Sequence, residues 1–207
     1  MHVFAWIAAG IVIVSLVYLS FVLTLAEWLA ALRKGEAVTL LPERQGRAWP
    51  LWTQVALVLL GLVLCAGMFY LLWKPLFPLP SGTAPILGSL GLLLYLAGCA
   101  CVLWARHALG RMWGISTSRN VKLRDDHQIV RSGPYAFVRN PMYFGWWVAM
   151  FGLLLLYPVW MVFLMLIFSV IAFTGRARRE DAVLAERFGE AWSEYKRHTK
   201  FLIPFLY

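Results

Sequence analysis

Charge is scarce in this chain. Only 14% of its 207 residues are Asp, Glu, Lys or Arg, whereas 61% are hydrophobic. A soluble domain carries roughly 25% charge. The shortage excludes an ordinary water-soluble fold, and the long apolar runs indicate a polytopic membrane protein. Acids are scarcer still, with 10 Asp and Glu against 19 Lys and Arg, for a net charge of +9. A nucleic-acid binder would spread such cations over a solvated face. Here they fall between and after the apolar runs, so they report membrane topology and no nucleic-acid partner is expected. Cysteine is limited to Cys65, Cys99 and Cys101, all inside apolar runs, where they read as small buried hydrophobes. No CxxC or Cys/His spacing suggests a metal. There is no GxGxxG after a strand pattern, no P-loop and no HExxH, so a nucleotide-like cofactor would not be held by a Rossmann domain. Internal repeats, low-complexity tracts and long linkers are also missing, which leaves one domain.

The apolar runs define an all-α fold of about five transmembrane helices. The first span covers about residues 3–31; it has no basic leader and no small-residue cleavage site, so it is expected to be retained. A charged loop from Arg33 to Arg47 follows, then a span over about Leu51–Trp73, a Pro-rich turn, and a third span over about Pro85–Ala105. A long polar segment, Arg106 to Pro141, leads into a final apolar stretch, Met142–Thr174, interrupted at Tyr157-Pro158. As one helix that stretch would measure about 50 Å, too long for a ~30 Å hydrocarbon core. Since proline breaks helices, the pattern predicts a tight hairpin, Met142–Tyr157 and Pro158–Thr174; one long kinked helix is the alternative. With five spans, of the 19 Lys and Arg only Lys74 lies opposite the rest. The positive-inside rule then places the polar segment and the tail in the cytoplasm and the N-terminus outside.

Polar residues concentrate in two places. Residues 127–145 pack His127, Arg131, Gly133, Pro134, Tyr135, Phe137, Arg139, Asn140, Pro141 and Tyr143 against the start of the hairpin. Such density at a membrane boundary is costly and marks function. Gly133-Pro134 and Asn140-Pro141 read as turns, with Pro141 suited to a first helical turn. Between them Tyr135, Phe137 and Arg139 alternate with Ala136 and Val138. This segment could present aromatic faces and a cation to a ligand, or form an interfacial aromatic belt. In the tail, Leu184, Phe188, Ala191, Trp192 and Tyr195 recur at helical spacing, which predicts amphipathic interfacial helices with a possible break at Gly189. Arg176 and Glu180 are four apart and share a face.

In this order, His127, Gly133, Tyr135, Arg139, Pro141, Tyr143 and Gly145, followed after a hairpin by Arg176, Glu180, Asp181, Phe188, Gly189, Glu194 and Tyr195, the chain closely resembles the isoprenylcysteine carboxyl methyltransferase family and the related phospholipid N-methyltransferases. The resemblance covers about residues 100–207; Asn140 stands where that family commonly has His. It implies a membrane methyltransferase with S-adenosyl-L-methionine as donor and S-adenosyl-L-homocysteine as product. Residues 1–105 would supply three helices and residues 106–207 the catalytic region. His127, Gly133, Pro134, Tyr135, Phe137, Arg139, Asn140, Pro141 and Tyr143 would hold the cofactor; Arg176 and Glu180 or Asp181 would face a lipophilic acceptor that arrives from the bilayer. An acceptor carboxylate would need only orientation by Arg176, whereas an amine would call for Glu180 or Asp181 as base. A bacterial plasma membrane is the expected location. The tail also resembles those of membrane sterol reductases that use NADPH, and a channel or transporter is a third possibility. The acceptor and the oligomeric state stay open.

Overall fold

The computed structural model describes residues 2–18, 50–78, 80, 82–112 and 128–204. The end of the first span, the loop at 33–47 and His127 lie outside the described residues. Among those described there is no strand, only helices and two isolated bridges. The helices are α1 (His2–Val17), α2 (Leu51–Leu72), α3 (Ala84–Leu109), α4 (Pro141–Leu156), α5 (Trp160–Phe188) and α6 (Glu190–His198), with 3-10 turns at Gly110–Met112 and Gly133–Ala136. The all-α expectation is met. Among the described residues three helices are long and apolar enough to cross a membrane: Val55–Leu72 within α2, α3 and α5; α4 is a shorter apolar helix.

The chain divides into two compact units, Met1–Leu71 and Leu72–Tyr207. In the first, α2 exposes Leu57, Leu59, Leu60, Val63, Leu64 and Met68. Such side chains suit lipid contact, where a helix satisfies all its own backbone groups.

The second unit is built around α3 and α4, which run antiparallel in close contact. Lipid removes most of the hydrophobic drive for helices to associate, so small residues must let the backbones approach. A Cβ on Gly98 would overlap the Ala149 backbone, and one on Gly152 would overlap the Tyr95 backbone. Around this seam Tyr95, Cys99, Val102 and Ala105 of α3 are buried with Ala149, Met150 and Leu153 of α4.

The break at Tyr157-Pro158 makes the expected hairpin of α4 and α5. Its corner is held by the turn that follows α2. Leu76 N–H donates to the Pro158 carbonyl (2.8 Å) and Trp160 N–H to that of Lys74 (3.1 Å), while Tyr157 packs against Trp73. The second arm differs from its expected extent. The chain does not leave its helix near Thr174; α5 continues to Phe188, and the break falls at Gly189, where φ is +54°. Its 29 residues span about 43 Å, so about a third of the helix extends past a ~30 Å core. Arg176 and Glu180 therefore sit on the polar extension of a membrane helix rather than on a separate interfacial one.

Candidate functional site

Helix rise sets the depth of the site. From the hairpin corner, the 16 residues of α4 climb about 24 Å to Pro141, and the 16 steps from Trp160 to Arg176 climb the same distance. The start of α4 and the Arg176–Asp181 stretch of α5 thus meet at one level, near the far edge of a ~30 Å core.

Residues 131–141 turn the chain into that level. Gly133, at φ +61°, opens a 3-10 turn with Trp104 and Ala108 of α3 close behind it. Pro134 and Tyr135 are buried there, whereas Phe137 is 55% exposed. Val138 then forms a parallel bridge with Lys200: Arg139 N–H donates to the Lys200 carbonyl (2.8 Å), and Lys200 N–H donates to that of Phe137 (3.0 Å). Asn140 precedes Pro141 at the start of α4. Its side chain does not cap the helix; Nδ2 donates to the Phe201 carbonyl (3.0 Å). The C-terminal segment is thereby laced to the polar segment.

Two charged groups lie at this junction, and neighbouring acids divide them. Glu180 belongs to the first. Its Oε1 accepts from Arg176 Nε (2.9 Å), and the Tyr143 hydroxyl lies 3.0 and 2.9 Å from its two oxygens. The Tyr143 ring stacks on Phe173, centroids 5.2 Å apart, with Trp146 edge-on to the same Phe. Asp181 belongs to the second. Its Oδ1 accepts from Arg139 Nε (3.1 Å), and Lys196 Nζ is 3.3 Å from Oδ2. Arg139 Nη1 donates to the Thr199 carbonyl (2.7 Å), and its guanidinium lies over the Phe201 ring.

Exposure separates the two groups. The Arg139 and Asp181 side chains are 9% and 13% exposed, against 32% and 22% for Arg176 and Glu180. Breaking a buried ion pair costs about 3–5 kcal/mol, because one charge is left without its partner. An accessible i,i+4 pair stabilises a helix by only about 0.3–0.5 kcal/mol. The Arg139–Asp181 link has the character of a structural clasp, and the Arg176–Glu180 pair is open enough to meet a ligand.

Beneath the clasp, the Tyr195 hydroxyl donates to the Tyr135 carbonyl (2.7 Å). Burial pushes the Tyr195 phenol up to about 12, with the Asp181 charge adding to the shift and Arg139 and Arg131 opposing it. Burial, with Tyr195 and Glu180 adding, also raises the Tyr135 phenol. Both remain neutral at physiological pH, so Tyr195 keeps its proton for the bond that ties α6 to the polar segment.

The structure therefore brings together Tyr143, Arg176 and Glu180, and separately Arg139 and Asp181, with Gly133, Pro134, Tyr135, Asn140 and Pro141 forming the adjoining turns. Glu180 and Asp181 are not interchangeable, as their adjacency in the sequence had left them. Sequence reasoning missed Lys196 as an Asp181 partner and Phe173 as the Tyr143 platform. Lys196 is one of several tail cations, and Phe173 one of many apolar residues in a span; neither carries a local signal.

A sequence model of the phospholipid methyltransferase family matches residues 87–191, half of the chain, from the first turn of α3 to the first two residues of α6. Among curated proteins the chain is similar to the protein-S-isoprenylcysteine O-methyltransferase of Saccharomyces cerevisiae, 34% identical over 119 residues that cover 56% of this chain and 48% of the yeast protein. Its counterparts in Dictyostelium discoideum (32% over 91 residues; 39% of this chain, 35% of that protein) and Xenopus laevis (36% over 84 residues; 40% and 29%) are also similar. The chain spans about half the length, or less, of the curated relatives it matches. With its apolar helices and the polar junction at their end, this chain is an integral membrane protein that belongs to the phospholipid methyltransferase family and is related to the isoprenylcysteine O-methyltransferases.

Proposed function

We propose that the protein is a methyltransferase that uses S-adenosyl-L-methionine to methylate the carboxylate of a lipophilic, prenylcysteine-like acceptor. Family membership and the names of the relatives support methyl transfer. The single observation that favours a carboxylate is the engagement of both acids. Glu180 accepts from Tyr143 and Arg176, and Asp181 is held by Arg139 and Lys196. An amine acceptor must lose a proton to a base in reach, and both candidate bases are already bound to cations or donors. A carboxylate needs no base, only orientation.

The residues present fit the donor. A sulfonium nucleoside calls for an anion and aromatic faces next to hydrogen-bonding turns. Glu180 and Phe173 supply the anion and one face, and the adjoining turn carries the exposed Phe137. When bound, S-adenosylmethionine supplies an electrophilic methyl group. The turn at Gly133, Pro134 and Tyr135, with His127, Phe137, Arg139, Asn140 and Pro141, would hold it, and the Arg176 guanidinium would orient the acceptor's carboxylate. The chain's contribution is alignment and exclusion of water. Depth supports the acceptor class: a site near the edge of the hydrocarbon core can receive a polar donor from water and a greasy acceptor from lipid. The distribution of Lys and Arg supports a cytoplasmic location for this face and an outward N-terminus.

The test is calorimetric titration of the detergent-purified protein with S-adenosylhomocysteine, with NADPH in parallel, followed by methyl transfer to an S-prenylated cysteine, to its amide and to an aminophospholipid. Micromolar binding of S-adenosylhomocysteine and methylation of the free carboxylate alone are expected. Methylation of the aminophospholipid alone would replace the carboxylate assignment with N-methylation, and binding of NADPH alone would overturn methyl transfer.

A further inference from the structure

We infer that Tyr143 is a positioning residue that acts through Glu180 to aim the Arg176 guanidinium, rather than a group that binds the cofactor. The inference rests on the methyl-transfer reading and concerns how its acceptor site is held.

Phe173, Arg176 and Glu180 lie at i, i+3 and i+7 on α5 and so share one face. Tyr143, two residues into α4, grips that face at two points. Its ring stacks on Phe173 (5.2 Å) and its hydroxyl reaches Glu180 (2.9 Å to Oε2, 3.0 Å to Oε1). A phenol has one proton and donates to one carboxylate oxygen at a time; with both oxygens in range, the bond survives small rotations of the carboxylate.

Arg176 and Glu180 belong to the same helix, so their mutual contact does not place either relative to α4. Tyr143 supplies the link between helices. A long, partly exposed Arg has many rotamers, and a partly exposed ion pair is too weak to select one. The Tyr143 bond holds Glu180 in place, Glu180 in turn holds Arg176 Nε, and the Tyr143 hydroxyl also lies against the Arg176 side chain, so the three groups act as one unit. In alignment-driven catalysis an error of about 1 Å costs on the order of 100-fold.

The test compares Tyr143→Phe with the unaltered protein for S-adenosylhomocysteine affinity by calorimetry and for methyl-transfer kinetics. The variant keeps the ring on Phe173 and loses only the hydroxyl. The expected result is a fall of about 10- to 100-fold in kcat/KM for the acceptor with S-adenosylhomocysteine affinity changed less than about twofold. Placing Tyr143→Phe in a Glu180→Gln background should add little further loss, because two residues that act as a unit are not additive. A purely structural role would instead lower thermal stability and give additive losses. Transfer at the unaltered rate, additive losses, or loss of S-adenosylhomocysteine affinity in step with activity would each overturn the inference and leave the methyltransferase reading standing. Absence of methyl transfer in the unaltered protein would overturn both.

Discussion

Arg176 and Asp181 are five positions apart on one helix and have opposite predicted sensitivities. Arg176→Ala removes a partly exposed cation that contributes little to stability. It should reduce methyl transfer by at least about 100-fold, as loss of a charge-orienting contact in a water-excluded site does, while calorimetry finds S-adenosylhomocysteine binding retained; parallel loss of both would remove Arg176 from the acceptor side. Asp181→Asn leaves the buried Arg139 guanidinium without its anion and should cost about 3 kcal/mol or more, read as a lower midpoint in thermal unfolding. Tyr195 gives a pH-dependent outcome. The fold favours its neutral form, with the phenol raised from 10 to about 12, so its contribution is full below pH 10 and fades as pH rises toward 12. Tyr195→Phe, which removes one hydrogen bond worth about 1 kcal/mol, should lower the melting midpoint at pH 8, and the gap to the unaltered protein should close between pH 10 and 12.

At the scale of elements, the α3–α4 seam decides whether the junction forms. No hydrophobic gain compensates for separating two helices that already face lipid, so the seam depends on backbone proximity at Gly98 and Gly152. Gly98→Leu must displace the Ala149 backbone and Gly152→Val that of Tyr95. Overpacking of this kind typically costs 1–3 kcal/mol, and both variants should show lower thermal stability together with weakened S-adenosylhomocysteine binding, because Gly133 leans on Trp104 and Ala108 of the same α3. Unchanged stability in both would mean that the helices do not approach as described. The hairpin break was legible, since Pro158 cannot continue a helix and the apolar stretch exceeds one span. The end of α5 was not: the change to charged residues at Arg176 looks like a boundary, but Arg, Glu and Ala are good helix formers. The helix therefore runs on to the positive-φ glycine at 189.

At the scale of the molecule, Lys74 marks the end opposite the candidate site. Its carbonyl accepts from Trp160 at the hairpin corner, and α5 then runs about 43 Å to Phe188. Cysteines introduced separately as Lys74→Cys and Arg197→Cys, with the native thiols replaced, should react with a membrane-impermeant maleimide from opposite sides of sealed vesicles. Labelling from the same side would contradict a membrane-crossing α5.

What the sequence determined by itself follows from short-range rules. Lack of charge and long apolar runs require helices in lipid, Pro158 requires a corner, and the ordered residues from Gly133 to Tyr195 identify a family. Tertiary structure alone decided the partners. Glu180 and Asp181 are adjacent and chemically alike, and nothing local distinguishes them. A helix turns about 100° between neighbours, so one acid meets Tyr143 on α4 and the other meets Arg139 and Lys196. Which acid meets Tyr143 and which closes the clasp with Arg139 depends on contacts about 40 residues apart in sequence, which become visible only when α4, α5 and the C-terminal segment are packed together.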